Sequence, residues 1–176
     1  MLVTRDIRAA EVARLSEITV AAYAALEGIE VGSYQATLAD VADRVRHAEV
    51  LVAVEEDRVL GGVTYVPDPG NPYAEFRDPD AAGVRMLAVD PAAQGRGVGA
   101  ALVAACIRRA RDRRRGRIVL HTTAAMTAAQ GLYRAFGFER SERRDWRPRP
   151  DILLLGYELV LEPARADRPG RRSVGA

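Results

Sequence analysis

The chain has 176 residues, 48% of them hydrophobic, and its 26 basic residues nearly balance 24 acidic ones for a net charge of +2. That length predicts one domain with a sizeable core, and the charge balance argues against a nucleic-acid partner. The single Cys106 allows no internal disulfide, and no apolar stretch is long enough to span a membrane.

Met1 to Asp6 lacks the apolar core of a signal peptide, so a cytoplasmic location is expected. Val3 to Asp6 reads as a short first strand. Val12, Leu15, Ile18, Thr19, Ala22, Tyr23 and Leu26 recur at helical spacing until Gly28 and Gly32 break the pattern. Tyr34, Leu38, Val41, Ala42 and Val45 predict one apolar face of a second helix. Glu49 to Glu55 and Val59 to Val66 read as strands joined by a turn at Glu56-Asp57-Arg58. His47 falls on a polar helix face and is expected to be exposed.

Pro67 to Ala82 is rich in Pro, Gly, Asn and Asp and carries Tyr73, Glu75, Phe76 and Asp80. A loop of that length inside a domain points to function. Gly83 to Val89 predicts a central strand. The helix after it bears Val98, Ala101, Leu102, Ala105 and Cys106 on one stripe, which makes Cys106 a core residue. The helix ends in Arg108 to Arg117, where cations offset the macrodipole. The reading of this run as a solvated helix end comes first. A field that attracts an anionic ligand comes second, and an RNA-binding patch last, since no aromatic residues interleave with the charges.

Arg117 to His121 predicts a further strand. Thr127 to Gln130 has the pattern of a capping box, followed by the apolar stripe Met126, Ala129, Leu132, Tyr133 and Phe136, with Gly137 as the closing glycine. A charged stretch from Glu142 to Arg149 precedes the last strand, Ile152 to Leu161. Residues 163–176, rich in Arg, Pro, Gly and Ala, are expected to form a disordered tail.

Gln94-Gly95-Arg96-Gly97-Val98-Gly99, followed by Ala100, carries the most chemical information. It sits between a strand and a helix, where glycines expose backbone N–H groups and the helix N-terminus adds partial positive charge. That combination cradles phosphate oxygens. A P-loop is excluded, because the chain contains no lysine. The dinucleotide fingerprint G-x-G-x-x-G is absent as well. On its own the run fits a tight turn that caps a helix equally well.

The run and its flanks resemble the acetyl-CoA pyrophosphate loop, [RQ]-x-x-G-x-[GA], of the GNAT (GCN5-related N-acetyltransferase) superfamily. Met86 to Pro91 resembles that family's fourth strand and its exit. Leu132-Tyr133-Arg134-Ala135-Phe136-Gly137-Phe138 resembles its L-Y-x-x-x-G-F signature, and the likeness covers residues 1–162 as one domain. It implies an α/β (α+β) fold: a mixed, mostly antiparallel central sheet of six to seven strands with flanking helices, splayed between the fourth and fifth strands. It further implies an N-acetyltransferase that moves an acetyl group directly from acetyl-CoA to a primary amine of a small molecule or peptide. No metal, nucleic acid or membrane is called for, and a homodimer is compatible. The alternative is a non-catalytic CoA-binding sensor or scaffold of the same fold.

Carried over by position, Leu87, Ala88 and Val89 would pair with the pantetheine arm. Gln94, Gly95, Arg96, Gly97, Val98, Gly99 and Ala100 would take the pyrophosphate, and Tyr133 would be the general acid. Tyr133 also fits its helix's apolar stripe. Gly83 and Val84 stand where many members carry a glutamate base, which leaves His121, Glu75, Asp80, Asp90 or solvent for that role. Tyr73 and Glu75 are candidate acceptor-site residues. Met126 stands where relatives carry an asparagine that holds CoA, with Thr127 or Gln130 as substitutes.

Overall fold

The computed structural model describes residues 1–26 and 32–161. Gly28 and the expected tail at 163–176 therefore lie outside the described residues. Eight strands form the sheet: β1 (Val3–Asp6), β2 (Glu49–Glu55), β3 (Arg58–Val66), β4 (Ala81–Val89), β5 (Arg117–Thr122), β6 (Glu139–Arg140), β7 (Trp146–Arg149) and β8 (Ile152–Val160). Their order is β1-β2-β3-β4-β5-β8-β6, with β7 paired to β8. Only β4 and β5 run parallel.

Period-two alternation explains why both faces of this sheet are buried. In β2, Leu51 and Ala53 join the core formed with Leu102, Val103, Cys106 and Ala110 of helix α4 (Val98–Asp112). Val50, Val52 and Val54 point the other way, against Leu15 and Ile18 of α1 (Val12–Ala24) and Val41. Cys106 is buried as expected, and burial pushes its thiol up to about 12. The β2–β3 turn places both Glu56 and Asp57 at positive φ, 47° and 62°, the backbone that a two-residue hairpin requires.

Three local expectations are corrected. The second helix is two pieces, α2 (Gln35–Ala39) and α3 (Val41–His47), divided at Asp40, whose side chain accepts from the Asp43 N–H. The break rotates α3, so Arg44 lies buried with Val41 while Val45 is 42% exposed. The capping box does not form. Helix α5 (Thr127–Ala135) begins after Met126 without a side-chain cap, and the Gln130 amide donates to the Thr123 and Ala124 carbonyls instead. Its other end is as expected: Gly137 at φ 86° lets Phe138 N–H reach the Tyr133 carbonyl and Gly137 N–H the Arg134 carbonyl, a Schellman closure. Third, the charged stretch contains β7. Its four residues are exposed, which is where a strand tolerates Pro148.

The arginine run is largely absorbed by the fold. Arg109 pairs with Asp6 and Glu49, Arg113 with Glu49, and Arg117 with Asp80 and Glu158. The run ties the end of α4 to β1 and β2, and the start of β5 to β8.

Candidate active site

The glycine run folds as a corner between a short turn at Pro91–Ala93 and α4. Gly95 and Gly97 have φ of 75° and 77°, and a Cβ built on either would meet nothing within 4 Å. Both glycines therefore face open space in a backbone conformation that side chains rarely adopt. Gly97 is the N-cap and offers no side chain to the first turn. Helical pairing starts with Ala101 N–H on the Gly97 carbonyl, so the preceding amides remain for an anion. Gly99 differs, since a Cβ there would lie 3.1 Å from Leu132 of α5. It serves helix packing. Arg96 is paired with Glu55 at the end of β2.

Beside the corner the sheet opens. β4 and β5 pair from Ala81↔Arg117 only as far as Val84↔Leu120. Beyond that point Gly61 and Gly62 of β3 pair with Val89 and Ala88, while His121 and Thr122 pair with Gly156 and Leu155 of β8. A bulge sets the opening: the register shifts opposite Met86, which sits at φ 52°. Asp90 N–H donates to the Leu60 carbonyl, so alternation turns the backbone groups of Leu87 and Val89 to the opposite, unpaired edge. Ala88 faces β3.

On the α4–α5 side of this wedge lies Tyr133, 5% exposed, its ring 5.8 Å from Phe138 and 6.5 Å from Tyr157. Its hydroxyl makes no hydrogen bond among the described residues. Burial pushes the phenol up, and Tyr23 on the far face of the sheet adds to the effect. Thr122 shares the face of Ile118 and Leu120, and the hydroxyls of Thr122 and Thr123 are buried without a partner. Gln130 is engaged with backbone carbonyls and with the Tyr157 hydroxyl at 3.1 Å, which leaves it no amide hydrogen bond to replace the missing asparagine.

The α1 side of the wedge is charged. Glu75 bridges Arg85 of β4 at 2.8 Å and His121 Nδ1 at 3.1 Å. His121 Nε2 lies 2.8 Å from the Arg144 carbonyl, and Trp146 stands edge-on to the ring at 6.4 Å. A carbonyl can only accept, so it assigns the Nε2 position a proton and leaves Nδ1 facing Glu75. The Tyr73 hydroxyl turns away to Asp43, while its ring lies under the Arg85 guanidinium at 5.7 Å. Asp80 sits at the closed end of the β4–β5 pair with Arg117, and Asp90 is held by Arg14 and the Ala92 N–H. Neither is free at the wedge.

A sequence model of the acetyltransferase (GNAT) family matches residues 13–138, which takes in the corner, the wedge and α5. The chain belongs to the GNAT family. It is 41% identical over 66 residues to a mycothiol acetyltransferase of Rhodococcus erythropolis, which covers 38% of this chain and 22% of that protein. The chain thus spans about a fifth of the length of that curated relative. A ribosomal-protein-alanine N-acetyltransferase from Brucella melitensis superposes with a TM-score of 0.68 at 25% identity, covering 90% of this chain and 99% of its own. A GNAT acetyltransferase from the same organism, solved with acetyl-CoA, gives 0.66 at 22% identity over 93% and 90%. The latter likeness is one of fold.

Within this GNAT fold, sequence reasoning passed over Arg44, Arg85, Thr122 and Trp146. Arg85 left a signal, as a lone charge inside an apolar central strand. Arg44 left none, because the apolar stripe Tyr34, Leu38, Val41, Ala42 and Val45 does not include it. Among the described residues no group of three or more metal-ligating side chains occurs, and no helix is long and apolar enough to cross a membrane.

Proposed function

We propose that the chain is an acetyl-CoA-dependent N-acetyltransferase that moves the acetyl group directly to a primary amine. One observation carries this reading: the orphan amides at Gly97, the unpaired edge of Leu87 and Val89, Tyr133 and the Glu75–His121 pair converge on one wedge in the sheet. The residues present suit the cosubstrate. The corner is anion-seeking and has space where side chains would stand, and the buried hydroxyls of Thr122 and Thr123 lack partners.

In this reading residues Gln94 to Ala100 hold the pyrophosphate, and the backbone of Leu87 to Val89 holds the pantetheine amides. Acetyl-CoA supplies the acetyl group as an activated thioester. Tyr133, kept protonated by its burial, offers its hydroxyl to the departing sulfur. On the other side, Glu75 receives the acceptor's ammonium and His121 Nδ1 takes the proton that must leave before nitrogen can attack. The Arg144 carbonyl fixes the tautomer for this transfer.

The second reading, a CoA-binding sensor or scaffold, draws on the engagement of both His121 nitrogens. Acetyl-CoA and a broad amine panel decide between them, with release of the free CoA thiol as readout. Amine-dependent thiol release supports the transferase. Tight CoA binding with no acetylated product from any amine, peptide or cell extract supports the sensor.

A further inference from the structure

Among the described residues, the α1 face of the wedge holds more fixed positive charge than its acid can neutralise. Thr64 and Arg85 are cross-strand partners in β3 and β4. Arg44 reaches the same face from α3, with 0% exposure. Its Nη1 donates to Thr64 Oγ1 at 3.3 Å, and its Nη2 to Thr19 Oγ1 at 3.4 Å and the Leu38 carbonyl at 3.0 Å. Its Nε has no partner. Among the described residues no carboxylate pairs with Arg44. Every acceptor it has is neutral, and most of these bonds are long. An unpaired buried guanidinium is a costly arrangement.

Arg85 stands next to it and is 22% exposed. Its other hydrogen bonds are long, to the Tyr73 carbonyl at 3.3 Å and the Tyr34 hydroxyl at 3.5 Å. Glu75 is its one carboxylate among the described residues, and Glu75 is shared with His121. Among the described residues the wall therefore presents two guanidiniums to one carboxylate. An acceptor that brings only an ammonium adds a third cation to it. An acceptor that also brings an anion restores the balance.

Resting on the transferase reading above, we propose that the acceptor is an amino-acid-like zwitterion, with its ammonium on Glu75 and its carboxylate on Arg85, backed by the buried charge of Arg44. The resident Arg85–Glu75 pair has the same two charges at the same spacing, so the ligand exchanges one ion pair for two. The exchange sets the ammonium beside His121 Nδ1, where its proton has to go. Tyr34 keeps a neutral hydroxyl at this wall, since burial pushes its phenol up, whereas the Tyr73 hydroxyl is spent on Asp43.

The test compares L-alanine, L-leucine, L-phenylalanine and L-glutamate with their α-carboxamides, titrated by calorimetry into the full chain saturated with CoA. The same pairs are then assayed for acetyl transfer. At least one acid is expected to bind and react about tenfold or more better than its amide, as charge-assisted hydrogen bonds predict. In Arg85→Gln, checked for fold by circular dichroism, that ratio is expected to collapse towards one. Equal binding of acid and amide in every pair, binding by none, or a ratio that persists in Arg85→Gln overturns the proposal. A binding preference without any acetylated product leaves the zwitterion site standing, and joined to no product across the amine panel it removes the transferase reading instead.

Discussion

Tyr133 is nearly buried and its hydroxyl lacks a hydrogen bond among the described residues, whereas the hydroxyl of the comparably buried Tyr157 is held by Gln130 and Arg134. A polar atom left open in this way suits a partner that arrives with the reaction. Tyr133→Phe is therefore expected to lower kcat by about 10- to 100-fold with little change in melting temperature. Unchanged turnover where chemistry limits the rate would remove the acid role. For His121, the expected signature lies in the pH profile. A base must be unprotonated, so kcat/KM falls towards acid, and His121→Asn should flatten that limb as well as lower the plateau. A limb that persists in the variant would assign the proton transfer elsewhere. Tyr133 and His121 could be picked out from the chain alone because motif position and strand end marked them. Arg44 could not, since its burial depends on the break at Asp40, and an aspartate at that spacing reads equally well as an ordinary helical residue.

At the level of elements, two glycines share a backbone and differ in purpose. Gly97 at φ 77° opens α4 towards empty space, and Gly137 at φ 86° closes α5 with a built Cβ only in ordinary contact, 3.6 Å from Leu159. Alanine at either is expected to cost about 1–2 kcal/mol, the strain of a left-handed backbone. Gly97→Ala should also weaken CoA binding roughly tenfold or more, because its methyl enters the space beside the orphan amides. Gly137→Ala should lose the stability and keep the affinity, and calorimetry on the two variants separates these effects. Equal CoA affinity in Gly97→Ala and the parent would remove the corner from the cofactor site. The strands β2 to β5 and β8 were readable because their apolar runs are long and bounded by turn residues. β6 and β7 were not. A two-residue strand has no period, and Trp146 to Arg149 carries arginines and a proline that only an edge accepts. The wedge itself was read through the resemblance, since the bulge at Met86 leaves no mark in an apolar strand.

Across the whole molecule, arginine–carboxylate pairs hold the periphery of the sheet together, and they make its stability depend on acid. Hydrogen bonds from Arg5 hold the Glu11 carboxyl down at about 2. Arg109 lowers Asp6, Arg144 lowers Asp78, and Arg140 lowers Asp145. Burial pulls Glu158 upward, but hydrogen bonds from Arg143 and Arg144 outweigh it. Each of these groups has a lower value folded than unfolded. Their stabilisation is therefore complete above the unfolded carboxylate range near 4.5 and fades as pH falls through the folded values. The melting temperature should hold from neutrality to about pH 5 and then drop steadily towards pH 2. Glu11→Gln isolates one contribution. The Arg5–Glu11 pair is partly solvated, so its loss at neutral pH is expected to be on the order of 1–2 kcal/mol after screening. The difference from the parent should shrink below pH 4.5 and vanish as pH passes about 2, where the parent's own Glu11 becomes protonated. A gap that stays constant from pH 7 to pH 2 in denaturant titrations would mean that Glu11 acts through packing, and the electrostatic account of this edge would fall.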